Sequence, residues 1–307
     1  MTNLDCSPPD TGAPGVPTED LDALAADTVA RAAADAADVT IRQVSGLAEI
    51  EQVCQLVEGV WRTEPGRPLV TPELLRALTK AGNYVGAAFR GSVPVGVGVG
   101  FFTPPAEQTL HSHLTGVSTA GRTRHVGFAL KLDQRAWALR HGATEIGWTF
   151  DPLVSRNAYF NLAKLAATAD EYLPDFYGVM HDDLNGADAS DRLHVRWHLN
   201  APSVVLACGG LPDGRDAEAE RRHGAEIALG RGPGGAPSTP SAAPRASRVL
   251  VAVPEDIETM RTRDPGLAGE WRRALRETLA PLLTGGGRVA GFDRSGWYVV
   301  RPAGSPR

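Results

Sequence analysis

The apolar positions of the chain fall into blocks of different period, and each block predicts an element. Val39-Thr40-Ile41-Arg42 alternates as a half-buried strand does. Leu47, Ile50, Val53, Cys54, Val57, Val60 and Trp61 recur at the helical period and predict one amphipathic helix. Thr71 before Pro72 forms a helix start, and Gly82 is placed to end that helix. Residues 84–89 and 93–102 predict a hairpin around Arg90-Gly91-Ser92, and 110–117 predict another strand. From Phe128 to His141 the helical pattern is apolar on more than one side (Ala129, Leu130, Leu132, Ala136, Trp137, Leu139), the mark of a helix sandwiched against a sheet. A strand over 145–150, a helix over 157–167 and shorter strands near Tyr172 and over 193–206 complete this part.

The two ends and one internal stretch read differently. Residues 1–38 are rich in Pro, Gly, Thr, Ala and Asp, and their acids face a single Arg31, so they predict a disordered acidic arm. An Ala-rich helix over 21–37 fits the pattern but offers little to pack. The main unit then spans 39–208, and 209–247, with Gly-Pro-Gly-Gly and a Pro/Ser/Ala run, predicts a flexible insertion or linker. Residues 248–307 predict an α/β appendage packed on the core. It has a strand over 249–253, a helix from Pro265 with Leu267, Trp271, Leu275, Leu279 and Leu282 on one face, and two closing strands. No internal repeat is visible.

Composition narrows the class. Hydrophobic residues at 42% and charged residues at 22% over 307 residues suit a globular chain, not a fibrous one. A net charge of −5 gives no basic field for nucleic acid or an anionic membrane, so neither is an expected partner. Only Lys80, Lys131 and Lys164 are lysines among 31 basic residues, a bias read as that of a GC-rich genome. Cys6, Cys54 and Cys208 lie too far apart for a disulfide framework or zinc spacing, as in a reducing cytoplasm. The N-terminus carries no signal pattern and no long apolar run occurs, so a soluble cytoplasmic protein is expected. Gly-x-Ser-x-Gly, CxxC and P-loop patterns are absent.

The chemistry concentrates in one strand-turn-helix segment. The strand over 110–117 enters Ser118-Thr119-Ala120-Gly121-Arg122-Thr123-Arg124-His125-Val126-Gly127, and the helix follows from Phe128. A helix N-terminus entered from a small-residue turn gathers free N–H groups at the positive end of the dipole, which suits a phosphate or diphosphate. Arg122 and Arg124 add positive charge there. With this element order the segment resembles the GNAT superfamily of acyl-CoA-dependent acyltransferases. The family's pyrophosphate loop is Arg or Gln, two residues, Gly, one residue, then Gly or Ala. Arg122 and Gly127 match it, and His125 stands at the first glycine. Downstream, Trp148-Thr149-Phe150-Asp151-Pro152-Leu153, Arg156-Asn157, Asn161-Leu162, Lys164-Leu165, Asp175-Phe176-Tyr177-Gly178, Asp183-Leu184-Asn185 and Ser190-Asp191-Arg192 resemble an uncharacterised subgroup of the family. Trp271-Arg272 and Gly291-Phe292 in the tail look like the same subgroup.

The resemblance implies an α/β (α+β) fold: a mixed, mainly antiparallel central sheet with helices on both faces, plus the C-terminal appendage. It implies transfer of an acetyl or other acyl group from acyl-CoA, with acetyl-CoA as co-substrate and no metal, to a small-molecule amine. The alternative is a non-catalytic binding or regulatory protein that keeps the fold. The implied coenzyme site comprises Val117, Thr119, Arg122, Thr123, Arg124, His125, Val126, Gly127 and Phe128, with the thioester carbonyl near the Val117 N–H. Asn157 either caps its helix or contacts the coenzyme arm. The family's tyrosine acid falls at Leu162, so Tyr159 and Tyr177 are the substitute acids, and Asp151 is the candidate for binding the amine. His111 and His113 share one face of their strand, as a base or as structural residues. They lack a third ligand of metal spacing, so no metal is predicted. Ser190-Asp191-Arg192 reads as an Asp–Arg pair shaping the acceptor pocket or as surface.

Overall fold

A computed structural model of the chain describes residues 18–63, 66–121, 125–178, 180, 188–212, 214–242 and 244–304. The elements run α1 (Thr18–Ala36), β1 (Thr40–Gln43), α2 (Leu47–Trp61), α3 (Pro72–Lys80), β2 (Tyr84–Arg90), β3 (Val93–Phe102), β4 (Thr109–Val117), α4 (Val126–Arg140) and β5 (Glu145–Phe150). They continue with α5 (Ser155–Ala158), a π-helix (Tyr159–Lys164), β6 (Thr168–Leu173), β7 (Arg192–His198), α6 (Pro202–Cys208), α7 (Ala217–Arg222), β8 (Glu226–Arg231) and β9 (Pro237–Ser238). The chain closes with β10 (Val249–Ala252), α8 (Ile257–Arg263), α9 (Pro265–Thr284), β11 (Arg288–Asp293) and β12 (Trp297–Arg301).

Strands β1 to β7 form one sheet in the order β1-β2-β3-β4-β5-β7-β6. Every neighbouring pair is antiparallel except β4–β5. On one face α2 and α3 pack over β2, β3 and β4, burying Ile50, Val53, Val57 and Leu75 against Val85, Val97 and Val99. On the other face lies α4, buried from Val126 to Ala138 almost all round. The sheet is thus the mixed, mainly antiparallel one with helices on both faces that the resemblance implies. A second sheet, β11-β12-β10-β8-β9, belongs to the C-terminal unit, and its core residues Trp271, Leu275, Phe292 and Tyr298 join the cluster that holds Trp148, Leu153 and Leu165.

Four expectations need correction. The predicted disordered arm over 1–38 is helical from Thr18 to Ala36. Ala23, Ala26 and Ala30 are buried on the stripe that packs against α4, and Asp27 pairs with Arg140 of α4. Alanine offers little apolar area, but it lets two helix backbones approach closely, and dispersion across that seam replaces area. This seam also explains why α4 is buried almost all round: it is sandwiched between the sheet and α1. The predicted linker over 209–247 contains α7, and β8 sits between β10 and β9 with Leu229 fully buried. The strand expected to run to 206 ends at His198, and Pro202 opens α6 instead. The helix expected over 157–167 is α-helical only to Ala158 and is wound as a π-helix over Tyr159–Lys164, a local widening of the turn. Among the described residues no helix is long and apolar enough to cross a membrane.

Candidate active site

The parallel pair β4–β5 is bonded over only three positions, Thr109↔Glu145, Leu110↔Ile146 and His111↔Gly147. Beyond them β4 stays with β3 as far as Val117↔Gly96, while β5 stays with β7 as far as Phe150↔Leu193. The two strands therefore diverge into a V whose vertex lies just past His111 and Gly147. A bulge sharpens the divergence: Gly100 pairs with Ser112 and Val99 with Leu114, so His113 is the extra residue. It also changes the faces. Leu110 and Ser112 point to the α4 side, whereas Leu114 enters the core under α2.

At the wide end of the V, β4 leads to α4 through a tight turn. The Ser118 N–H donates to Val95 O at 3.0 Å and the Gly121 N–H to Ser118 O at 2.9 Å. A Cβ on Gly121 would lie 2.6 Å from Val117 Cγ1 and 3.0 Å from Val95 O, so only glycine fits this bend. Arg122, Thr123 and Arg124 lie outside the described residues. His125 precedes α4 with φ 59° and ψ 22°, the left-handed conformation that glycine adopts most readily. His125 thus holds a backbone shape that a glycine would adopt at less cost, and its ring is exposed. Val117 and Phe128 are half-buried at this end, Thr119 is exposed and Val126 is buried. A Cβ on Gly127 would lie 3.5 Å from Val117 Cγ2, an ordinary contact, so this position does not require glycine.

The vertex is occupied on its α4 side by Lys131. Its Nζ donates to Ser112 Oγ at 2.8 Å and to Gln134 Oε1 at 3.0 Å, and sits 3.9 Å from the centre of the Trp148 ring. Ser112 and Trp148 are the first positions past the last bonded pair, one on each arm of the V. Lys131 is 3% exposed, and burial pushes its amine down to about 7. Gln134 is 1% exposed, and its Nε2 has no partner among the described residues.

The opposite side of the vertex is a polar groove, because α2 and α3 reach only to β4. His111 and His113 line it with ring centres 6.1 Å apart, both against Phe101. Burial and the neighbouring His113, His194 and Lys131 lower His111 to about 4, so it is neutral at physiological pH. His194 of β7 lies over β5, its Nδ1 2.8 Å from Asp170 Oδ1. A side chain at Gly147 would meet His194 Nε2 at 3.2 Å, so the glycine makes room for that ring. Tyr177 Oη is 3.1 Å from Thr149 Oγ1, on the β5 residue after Trp148. Among the described residues no group of three His, Cys, Asp or Glu could hold a metal ion.

Of the three sequence-predicted catalytic residues only Tyr177 reaches this groove. Tyr159 packs into the core with the Arg294 guanidinium of the β11–β12 turn 5.9 Å from its ring, so it faces the C-terminal unit. Asp151 is also turned that way. Its carboxylate accepts from Arg272 Nη1 and Nη2, each at 2.9 Å, and from Arg261, and its Oδ1 accepts from the Leu153 N–H at 3.0 Å. Burial alone would raise its pKa, but Arg272 and Arg261 outweigh that and hold it well below the usual carboxylate range. A carboxylate so occupied has no lone pair to offer an amine. Asn157 is half-buried on α5, behind the end of β5.

The same contacts explain much of the downstream motif. Asp191 is fully buried, accepting from Tyr172 Oη at 2.6 Å, the Asp175 N–H at 3.0 Å and Arg276 Nε at 2.9 Å. Ser190 Oγ accepts from the Tyr177 N–H at 2.9 Å, which places the tyrosine. Asp151, Asp188 and Asp191 of this run thus seat the C-terminal unit through Arg261, Arg272 and Arg276, while Asp183-Leu184-Asn185 lies outside the described residues. Sequence reasoning missed Lys131, Ser112, Gln134, His194 and Asp170. One signal was available: Lys131 is a lone lysine between Leu130 and Leu132 in a helix otherwise apolar on several sides.

No family model and no curated protein matches the chain. Solved structures do resemble it over about half its length. A protein from Desulfovibrio desulfuricans assigned to the GNAT family of acetyltransferases is 17% identical with a TM-score of 0.44, over 52% of this chain and 99% of its own. The Salmonella typhimurium protein yncA, an assigned acetyltransferase solved with acetyl-CoA, is 16% identical with a TM-score of 0.43, over 53% and 95%. Diaminobutyrate acetyltransferase EctA from Paenibacillus lautus, solved with its substrate and coenzyme A, is 17% identical with a TM-score of 0.41, over 53% and 96%.

Proposed function

We propose that this protein transfers an acyl group, most simply acetyl, from acyl-CoA to the amine of a small molecule. The observation that carries the reading is the V: a parallel pair that separates after three bonded positions and leads, through the Gly121 bend, into the N-terminus of α4. Past the vertex the facing edges of β4 and β5 share no ladder bonds, so β4 has backbone groups to offer an extended amide-containing arm. The N-terminus of α4, at the positive end of the helix dipole, suits the diphosphate. A pantetheine arm is as long as about five extended residues, so one laid along β4 from Val117 brings its sulfur toward Ser112. This moves the reacting centre from Val117, where the sequence placed it, to the vertex.

The groove on the far side supplies the remaining needs. An acceptor amine must be neutral to attack a thioester. His194 sets its Nδ1 against Asp170 and turns its Nε2 beside Gly147, and that nitrogen is the group placed to take the amine's proton. His111, neutral and closer to the vertex, and Tyr177, held on Thr149, position the acceptor. Holding both substrates in line accounts for much of the acceleration without a covalent intermediate. Calorimetric titration with acetyl-CoA is the test. We expect saturable binding, weakened by Arg122→Ala. Absence of both heat and thermal shift at millimolar ligand would end this reading. An acceptor panel followed by free-thiol release then identifies the amine.

A further inference from the structure

The vertex of the V holds a positive charge that none of the described residues around it balances. Lys131 is buried in a helix packed between α1 and the sheet, and neither of its two hydrogen-bond partners is a carboxylate. Burying an ammonium without a counter-ion is costly, and a leucine or methionine would fill the same space at no such cost. Two neutral oxygens accept from Nζ and the face of Trp148 takes the third side, so the amine keeps its partners although burial lowers it to about 7. Gln134 turns its oxygen to Lys131 while its own amide nitrogen stays unbonded among the described residues. The titratable groups facing Lys131 are His111 across β4 and, beyond it, His113 and His194; none is an acid.

We propose that Lys131 is the acid of the reaction: its ammonium stabilises and then protonates the thiolate released when the thioester is cleaved. The inference rests on the acyl-CoA reading above, and it fills a gap in it, because Leu162, at the family's tyrosine position, is buried in the same core and has no proton to give. The step balances. The acceptor nitrogen forms a bond to the acyl carbon, the carbon–sulfur bond breaks with its electron pair going to sulfur, and a proton passes from Lys131 Nζ to that sulfur. The acceptor's own proton leaves through His194, and the neutral Lys131 amine regains a proton from water as product departs. A lysine near neutrality suits this task, since a thiolate whose conjugate acid lies near about 8.5 takes its proton downhill.

The test needs no acceptor. The ultraviolet absorbance of thiolate is followed as coenzyme A bound to the full-length protein is titrated from acid to alkaline pH, with acetyl-CoA, whose sulfur is capped, as the blank. The blank cancels the protein's own thiols, Cys6 included, and burial raises Cys54 and Cys208 to about 11. We expect up to about tenfold more thiolate on the bound coenzyme than on the free one at and below neutrality, where Lys131 is charged. In Lys131→Met and Lys131→Gln, checked for folding by circular dichroism, that gain is lost while acetyl-CoA still binds. An unshifted thiol in the wild type, or equal shifts in wild type and variants, overturns the proposal and leaves the acyl-CoA reading standing. Failure of the wild type to bind either ligand removes both.

Discussion

Two of the buried charged sites among the described residues are built on opposite plans. Between the end of β5 and the C-terminal unit, Asp151 and Asp188 meet Arg261 and Arg272, two carboxylates against two guanidiniums. Around Lys131 there is one ammonium and no carboxylate among the described residues. Both sites exclude water, and in both a lone charge is expensive. The first cluster cancels its charge internally and so serves as a fastening between two units. The second leaves its charge open, at the one place in the sheet where the strands part. A compensated buried charge marks architecture, and an uncompensated one marks a place where charge arrives from outside.

The largest expected effect breaks the fastening. Arg272→Leu strips the buried Asp151 and Asp188 of the guanidinium they share, and removing one partner of a buried pair costs about 3–5 kcal/mol. Urea denaturation should show this loss, and the double variant with Asp151→Leu should lose less than the two single costs combined. Acid sharpens the point. Asp151 is held below its unfolded value, so its contribution is present above about pH 4 and disappears as pH falls through the folded value. Wild-type protein should therefore lose more stability on acidification than Asp151→Asn. A negligible cost for Arg272→Leu would mean that the cluster fastens nothing.

The next effect has the opposite sign. Lys131→Met removes a buried charge that has no counter-ion among the described residues, and should stabilise the protein by about 1–4 kcal/mol near neutral pH. Between about pH 7 and 10.5 the unfolded chain keeps the lysine proton and the folded chain does not, so wild-type stability rises through that window. The variant's advantage is thus full below about 7 and fades above it. Thermal melts across that range measure it. If Lys131→Met is destabilising at every pH, Lys131 is a packed structural residue and the contrast between the clusters fails.

What the sequence revealed follows the same division. The hairpin, the long buried helix and the order of strands were legible because they rest on apolar periodicity, which local pattern carries. Where α1 packs was not legible, since an Ala-rich stripe has little hydrophobic signal until its partner α4 is in place. β8 was hidden inside a glycine- and proline-rich stretch, and its place between β10 and β9 is set by pairing that no local apolar period announces. In the site, the Gly121 bend and the α4 start were visible as a segment. The bulge at His113 was not, because it depends on which residues of β3 lie opposite. Asp151 read as an acceptor ligand from its place at a strand end. Its true partners, Arg261 and Arg272, lie more than a hundred residues away, and no local pattern points to them.

The smallest expected effect tests whether burial, and not the number of ion pairs, sets the contrast. Arg156 of α5 pairs with Glu258 of α8, joining the same two parts of the molecule as Asp151 and Arg272. Its side chain is 60% exposed, so water and salt already screen the charge that Arg156→Ala removes. The variant should lose at most about 1 kcal/mol in urea denaturation, and raised salt should erase the difference. The two pairs cross one boundary with similar chemistry and differ mainly in access to water. A loss as large as that of Arg272→Leu would mean that ion pairs hold this boundary wherever they lie. Burial would then no longer separate fastening from function, and the open charge at Lys131 would carry no special meaning.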